Sequence, residues 1–411
     1  MKLSLHQFST HAQIELPASK SISHRALMIH FLCKSSVEIS NLSTAHDTLL
    51  FSTALDQIRN QQQGIIDIED AGTPARFLVA LLACQEGKEF TLTGTSRMKQ
   101  RPMAALVQAL RSLGAEIESL EEDNCLPLRI QGRQLKGGDV YIDASASSQF
   151  ISALCMIAPL MNNGLNIHLL GKRVSESYIQ MTSAVMTEWG VDIEIEDTVI
   201  RIPTKPYHAS TYQVEGDWSS ATFFYAMLML QDQVSITLKG LSAKSIQGDA
   251  KIQHWAKDFG VSTTFDEDEC TMASSHAIRS LASRHYDMTH HPDLAIPFIV
   301  ACALQYPSTT FSGLHHLEFK ESKRLTALQQ ELAKVGIHLH YEHDHLSFEG
   351  QLIPAENEIL LQTYQDHRMA MSLSLLAIKG YSLQLDDASC VRKSFPDFWN
   401  QLSKLGFEIK P

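Results

Sequence analysis

The chain has 411 residues, a formal net charge of −12, 44% apolar residues and 19% charged residues. That length exceeds one ordinary core and predicts two domains. The acidic balance excludes a general nucleic-acid binder, and no apolar run is long and clean enough to cross a membrane as a helix.

Met1-Lys2-Leu3-Ser4-Leu5-His6-Gln7 opens no apolar leader, so no secretory signal is expected. Seven scattered cysteines without a C-x-x-C pattern predict buried free thiols in a reducing cytoplasm. The first informative stretch is Leu16-Pro17-Ala18-Ser19-Lys20-Ser21-Ile22-Ser23-His24-Arg25-Ala26-Leu27. It reads as a strand end, a tight turn and the first turn of a buried helix, with Pro17 as the stop and Ser19, Ser21 or Ser23 as the cap. Ile22, Ala26, Ile29 and Cys33 share a helical face, as do Ser21 and Arg25. Two cations and three hydroxyls thus gather where a helix exposes free N–H groups, which suits an anion such as a phosphate. The alternative is a capped core helix with two surface cations.

The same element returns five times. A polar turn followed by small apolar residues appears at Ser21, Thr73, Ser148, Ser219, Asp293 and Asp366, with steps of 52, 75, 71, 74 and 73. Helices apolar nearly all round are buried ones. Between them runs a second, amphipathic type expected to end in glycine: Gly64, Gly114, Gly190, Gly260, Gly336 and Gly406, with steps of 50, 76, 70, 76 and 70. Met103, Leu106, Leu110 and Leu113 make one such stripe, with Pro102 at the first helical position. Strands follow, as in Ala115-Glu116-Ile117-Glu118 and Ile337-His338-Leu339-His340. Six units of roughly seventy residues make a repeat architecture, three in each half. If the buried helices run parallel within a half, their N-termini form a positive floor, and two facing floors would make an anion-binding cleft.

Three basic clusters add to this picture: Arg97-Met98-Lys99-Gln100-Arg101-Pro102, Lys320-Glu321-Ser322-Lys323-Arg324 and Arg392-Lys393. Each also reads as a solvated helix start, and Glu321 with Arg324 as an ordinary exposed i,i+3 pair. His290-His291 and His315-His316 lack zinc-ligand spacing, so no metal is expected.

In order along the chain, Leu16-Pro17-Ala18-Ser19-Lys20-Ser21, Ala71-Gly72-Thr73 with Arg76, Arg97 to Pro102, and Ser147-Ser148-Gln149-Phe150 resemble the 5-enolpyruvylshikimate-3-phosphate synthases of the enolpyruvyl transferase family. Glu215-Gly216-Asp217, Pro292-Asp293, Lys320-Glu321 with Arg324, Asp366-His367-Arg368-Met369-Ala370-Met371, and Lys393 before Phe395-Pro396-Asp397 continue the resemblance over essentially the whole chain. It implies an α/β (α+β) fold of two domains, each of three βαβαββ units. One domain would be 17–213 and the other 1–16 plus 214–411, with the active site in the cleft between them. It implies transfer of the enolpyruvyl group of phosphoenolpyruvate to the 5-hydroxyl of shikimate 3-phosphate, without metal or organic cofactor, by a cytoplasmic monomer acting on small molecules and not on nucleic acid or membranes.

Carried over residue by residue, the resemblance assigns Lys20, Ser21 and Arg25 to shikimate 3-phosphate. Ser147, Ser148, Ser175 and Lys320 would hold it too, with Gln149, Tyr178 and Asp293 beside them. Phosphoenolpyruvate would be held by Lys20, Gly72, Arg101, Gln149, Arg324, Arg368 and Lys393. Asp293 would take the proton of the attacking hydroxyl. Glu321, with Lys20, would protonate the methylene carbon and later remove a proton. Two multiply anionic substrates need many fixed cations in a water-poor site, and two carboxylates need different protonation states.

Some positions depart from the family pattern. Asp70, Pro74 and Phe77 stand where it usually has Asn, Ala and Pro, which bears on phosphoenolpyruvate affinity and sensitivity to glyphosate. Ala18 and His24 replace Gly and Asn, and Glu318 with Lys323 reads as a charge-swapped pair. The sister transferase acting on UDP-N-acetylglucosamine carries a Cys or Asp on a mobile loop and a Lys-Asn pair, where this chain has Arg97 to Arg101 and Lys20-Ser21. A non-enzymatic scaffold for phosphorylated ligands would need neither Asp293 nor Glu321.

Overall fold

All six polar turns lead into helices. The computed structural model describes residues 1–33, 37–145, 147–266, 269–275, 283–354 and 357–411. The helices are Lys20–Cys33, Gly72–Ala83, Ser148–Ile157, Trp218–Met229, Ala295–Gln305 and His367–Leu373. Their composition makes them core helices: every residue of the Trp218 helix is buried, as is every residue of the Gly72 and Ser148 helices except Thr73 and Gln149. Pro74 is the third residue of its helix, where the missing N–H has no intrahelical acceptor to lose, so the helix continues undisturbed.

The chain divides into two units, an N-terminal one of Lys20–Val214 and a C-terminal one of Met1–Ser19 with Glu215–Pro411. Hydrogen bonds within each unit fix the direction of its buried helices. In the N-terminal unit Gln149 Nε2 donates to Thr73 Oγ1 at 2.9 Å, joining two helix starts. Tyr207 joins two far ends: its hydroxyl donates to the Met156 carbonyl at 2.8 Å, and its carbonyl accepts from Cys33 Sγ at 3.5 Å. In the C-terminal unit Arg368 Nη1 donates to the Asp293 carbonyl at 2.8 Å, again at two helix starts. Tyr306, just past the Ala295 helix, donates to the Met229 carbonyl at the end of the Trp218 helix, also at 2.8 Å. The buried helices of a unit therefore run the same way, and their positive ends lie together.

The sheets repeat one plan. Gln63–Asp67 pairs parallel with Glu89–Thr93, which pairs antiparallel with Leu128–Gln131, which pairs antiparallel with Glu116–Ser119. Among the described residues four further four-stranded sheets share this order, and the sixth sheet is the parallel pair Ile39–Ser40 and Tyr212–Gln213. Both passages between the units exchange a strand. His11–Glu15 precedes the Lys20 helix in sequence, yet it pairs with Ser235–Lys239, beyond the Trp218 helix. Tyr212–Gln213 precedes the Trp218 helix, yet it pairs with Ile39–Ser40, beyond the Lys20 helix. The strand Lys2–Leu5 lies between Leu383–Leu385 and Phe407–Lys410.

Five of the six expected glycine stops have left-handed φ: Gly114, Gly190, Gly260, Gly336 and Gly406. Gly64 does not. The helix His46–Asn60 ends at an extended Gln61, and Gly64 already belongs to a strand, where a Cβ would come within 3.0 Å of Gln57 and 3.4 Å of Phe90. Pro102 also lies outside its helix, which runs Ala104–Ser112.

Candidate active site

In the N-terminal unit the first polar turn forms a fixed cationic centre. Arg25 is 2% exposed. Its Nε donates to Thr182 Oγ1 at 2.8 Å, Nη1 to the Ser21 carbonyl at 2.9 Å, and Nη2 to Ser152 Oγ at 3.2 Å and the Tyr178 carbonyl at 3.1 Å. Its guanidinium also lies over the rings of Phe77 and Tyr178. Every one of these partners is neutral. Burial pushes the guanidinium down to about 10, so it remains a cation at neutral pH. A buried cation without a carboxylate costs several kcal/mol unless an anion joins it, so this arrangement is poised for one. Phe77, the unusual residue of the Gly72 helix, thus packs against the cation and also edge-on to Phe51.

Lys20 is fixed separately, by an ion pair of 2.8 Å with Asp47 in the first turn of the His46 helix. Ser147 caps the Ser148 helix by accepting from Gln149 N at 3.2 Å, and Ser148 is buried at its first position. Ser175, directly before the helix Glu176–Glu188, has φ +54, a strained conformation of the kind that gathers at functional sites. Arg101 lies against Gly72: a Cβ there would come within 2.6 Å of Arg101 Nη1. Arg76 braces the same corner, donating to the Gly72 and Pro102 carbonyls at 2.9 and 3.1 Å. The Asp70 carboxylate accepts from Thr95 Oγ1, and its carbonyl accepts from Arg101 at 3.4 Å.

The C-terminal unit holds the carboxylates. Arg324 is 1% exposed and meets three of them: Asp366 at 2.8 Å through Nε, Glu321 at 2.8 Å through Nη2 and Asp293 at 3.8 Å through Nη1. Among the described residues its buried Nη1 has no hydrogen-bond partner. The Glu321–Arg324 pair therefore joins a fully buried guanidinium to a partly buried carboxylate and is not the exposed i,i+3 pair that the spacing alone suggests. Arg368 Nε lies 3.2 Å from Asp293. Asp366 is wholly buried, caps its helix through Arg368 N at 2.9 Å and accepts from Ser322 Oγ at 3.0 Å. Burial would raise its carboxyl, but Arg324 and His367 outweigh that and hold it below the ordinary range. Lys393 Nζ reaches the Gln365 carbonyl at 3.4 Å. Lys320 follows the turn His315–Phe319 and acts on His316, whose imidazole is pushed down to about 3 chiefly by burial and next by that lysine.

The expected charge-swapped pair does not form. Glu318 accepts from the backbone N–H groups of Leu325 and Thr326 at 3.1 and 3.4 Å, because free N–H groups at a helix start compete well for a carboxylate. Asp47, which pairs with Lys20, and Ser152 and Thr182, which accept from Arg25, are partners that sequence reasoning missed. Asp47 carries only the weak signal of an acid in a first helical turn.

These sixteen positions thus divide by unit. Ten, from Lys20 to Tyr178, lie in the N-terminal unit, and six, Asp293, Lys320, Glu321, Arg324, Arg368 and Lys393, lie in the C-terminal unit. The family model described as EPSP synthase (3-phosphoshikimate 1-carboxyvinyltransferase) matches residues 8–64 and 55–402. A 3-phosphoshikimate 1-carboxyvinyltransferase of Bacteroides fragilis (strain YCH46) is 41% identical over 401 residues, covering 97% of this chain and 96% of its own. One of Haemophilus influenzae (strain Rd) is 35% identical over 420 residues, covering 95% and 96%. A solved EPSP synthase of Acinetobacter baumannii superposes with a TM-score of 0.79 at 19% identity, covering 100% of this chain and 99% of that one, which shows the shared fold. A family match of that extent, with relatives this similar over nearly their full length, means that the chain belongs to the EPSP synthase (3-phosphoshikimate 1-carboxyvinyltransferase) family.

Proposed function

We propose that this chain transfers the enolpyruvyl group of phosphoenolpyruvate to the 5-hydroxyl of shikimate 3-phosphate and releases inorganic phosphate, the sixth step of the shikimate pathway towards chorismate and the aromatic amino acids. The observation that carries the residue roles is the pair Asp293 and Glu321 held on one buried guanidinium, Arg324. In this reading Asp293 takes the proton of the attacking hydroxyl as its oxygen bonds to the enol carbon. Glu321, with Lys20, delivers a proton to the methylene carbon. A proton then leaves the new methyl group as the carbon–oxygen bond to phosphate breaks.

Lys20, Ser21, Arg25, Ser147, Ser148, Ser175 and Lys320 bind shikimate 3-phosphate, with Gln149, Tyr178 and Asp293 beside them. The neutral-partnered Arg25 supports an anion there. Lys20, Gly72, Arg101, Gln149, Arg324, Arg368 and Lys393 bind phosphoenolpyruvate. The roles draw on both units, so the reading requires them to close around the two ligands, and the ligand pair should shrink the radius of gyration in small-angle scattering. The protein acts as a cytoplasmic monomer in this reading; seven free cysteines support the reducing compartment.

Phosphate release from phosphoenolpyruvate tests the assignment. Release is expected with shikimate 3-phosphate and not with UDP-N-acetylglucosamine. Release with the sugar nucleotide alone would overturn it, and release with neither would favour the scaffold. Glu321→Gln keeps an acceptor for Arg324 but cannot donate the proton, so kcat should fall on the order of a hundredfold or more with shikimate 3-phosphate affinity nearly unchanged. Equal losses in both would contradict the role.

A further inference from the structure

Arg101, 6% exposed, is the cation packed against Gly72 in the N-terminal unit. Its Nη1 donates to the Asp70 carbonyl at 3.4 Å and to Met98 Sδ at 4.0 Å. These are long contacts with neutral groups, so they fix the guanidinium only as well as Asp70 and Met98 are themselves fixed. One hydroxyl, on Thr95, joins those two residues. Thr95 Oγ1 donates to Asp70 Oδ1 and accepts from Met98 N at 3.3 Å.

The backbone around this hydroxyl is closely tied. Thr95 N donates to the Glu69 carbonyl at 3.2 Å and Ile68 N to the Thr93 carbonyl at 3.1 Å, so the turn before Gly72 and the turn before Arg101 run side by side. At Gly94 they lie too close for a side chain: a Cβ would come within 2.5 Å of the Glu69 carbonyl. After Thr95 the chain makes the single helical turn Ser96–Lys99, where Lys99 N donates to the Thr95 carbonyl at 3.0 Å, and Arg101 N then donates to the Met98 carbonyl at 3.1 Å. Met98 is wholly buried, and its sulfur also accepts from Arg76 Nη1 at 3.9 Å. Asp70 suits Thr95 in a way that an amide would not. A carboxylate only accepts, so the Thr95 hydroxyl must donate to it, which leaves the hydroxyl lone pairs for Met98 N. An amide could present its oxygen or its nitrogen, leaving two arrangements open.

We propose that Thr95 is a positioning residue for phosphoenolpyruvate: its hydroxyl, oriented by the Asp70 carboxylate, fixes the two residues against which Arg101 rests. The inference depends on the assignment of Arg101 to phosphoenolpyruvate. Thr95 and the Asp70 carboxylate act through Arg101 and not on the substrate directly. In that assignment shikimate 3-phosphate is held by other residues, so the effect should fall on one substrate.

Steady-state kinetics of the intact enzyme test this, with each substrate varied against a saturating level of the other. The variants are Thr95→Val, Thr95→Ser, Asp70→Ala, the double variant of Thr95→Val with Asp70→Ala, and Arg101→Ala. Thr95→Val keeps the shape and loses the hydroxyl. Its KM for phosphoenolpyruvate should rise about three- to tenfold, with kcat and KM for shikimate 3-phosphate changing less than about twofold. Thr95→Ser restores the hydroxyl and should return KM to within about twofold of wild type. Asp70→Ala should match Thr95→Val, and the double variant should be no worse than either, because both changes break one link. An unmoved KM in Thr95→Val overturns the proposal, as does a Thr95→Ser no better than Thr95→Val or a double variant whose losses multiply. Equal rises in both KM values mark a merely structural defect and overturn it as well. A lowered KM for phosphoenolpyruvate in Asp70→Ala overturns it too, because the carboxylate would then only repel the anion. Should Asp70→Ala not fold, the contrast between Thr95→Val and Thr95→Ser decides alone. A wild-type KM for phosphoenolpyruvate in Arg101→Ala would remove the assignment of Arg101 itself. A raised KM there, with an unmoved KM in Thr95→Val, removes only the role of Thr95.

Discussion

Arg324 holds three acidic side chains at once, and its energetic weight follows from its burial. Removing it leaves the wholly buried Asp366 carboxylate unpaired, which costs about 3–5 kcal/mol. Arg324→Ala should therefore lower the urea midpoint strongly. Lys99→Ala breaks the 2.7 Å pair with Glu121 at the surface and should cost under about 1 kcal/mol. Gly72→Ala addresses a different contact. The added methyl would displace the Arg101 guanidinium, so KM for phosphoenolpyruvate should rise about tenfold or more with little change in the urea midpoint. At this scale the sequence made the residue types readable but not their partners. Arg25 is bound by Ser152 and Thr182, 127 and 157 positions away, and no local pattern can announce such pairs.

Helices and their ends were more legible, because caps and stops are local. Asp217, Ser147 and Asp366 each cap the helix they precede, through a side-chain oxygen accepting a backbone N–H. The five left-handed glycines separate two costs. A Cβ at Gly114 would meet nothing within 4 Å, so Gly114→Ala should cost about 1–2 kcal/mol from backbone conformation alone. At Gly336 a Cβ would come within 2.4 Å of the Gln351 carbonyl, so Gly336→Ala should cost measurably more. Equal urea midpoints for the two variants would contradict this. Gly64 was misread because regular spacing says that a glycine recurs, not why. There the neighbouring Phe90 and Gln57 side chains set the need, not the backbone angle.

For the whole molecule, buried titrating groups predict weakening by acid. Burial, then Lys20 and Arg25, holds His24 well below its ordinary value of 6.5. His291 is pushed down to about 4, and His316 to about 3, in each case first by burial. Below pH 6.5 the unfolded chain binds protons at these sites that the folded chain does not, so their contribution is complete above pH 6.5 and declines as the pH falls. Asp249 acts in the opposite sense between its ordinary 3.8 and about 7, because its folded form keeps a proton that the unfolded form has released. It offsets one of the three histidines. Stability should therefore fall by about 1–3 kcal/mol per pH unit between pH 6 and 5, read from urea midpoints. The depressed Asp366 carboxyl contributes fully above its ordinary 3.8 and adds a further loss as the pH falls below it.

The sequence by itself determined the six-fold repeat, the buried helices, their polar N-termini and the family, because periodicity, caps and ordered motifs are properties of neighbouring residues. The tertiary structure decided what those neighbours cannot carry. Strand exchange at the two passages between units joins residues more than 170 positions apart, as in Tyr212 beside Ile39 and Ser235 beside His11. The direction of the buried helices rests on single long-range bonds such as Gln149 to Thr73. The grouping of Asp293, Glu321 and Asp366 on Arg324, with Asp249 buried in the same unit, depends on packing that removes water and makes each charge answer to the others.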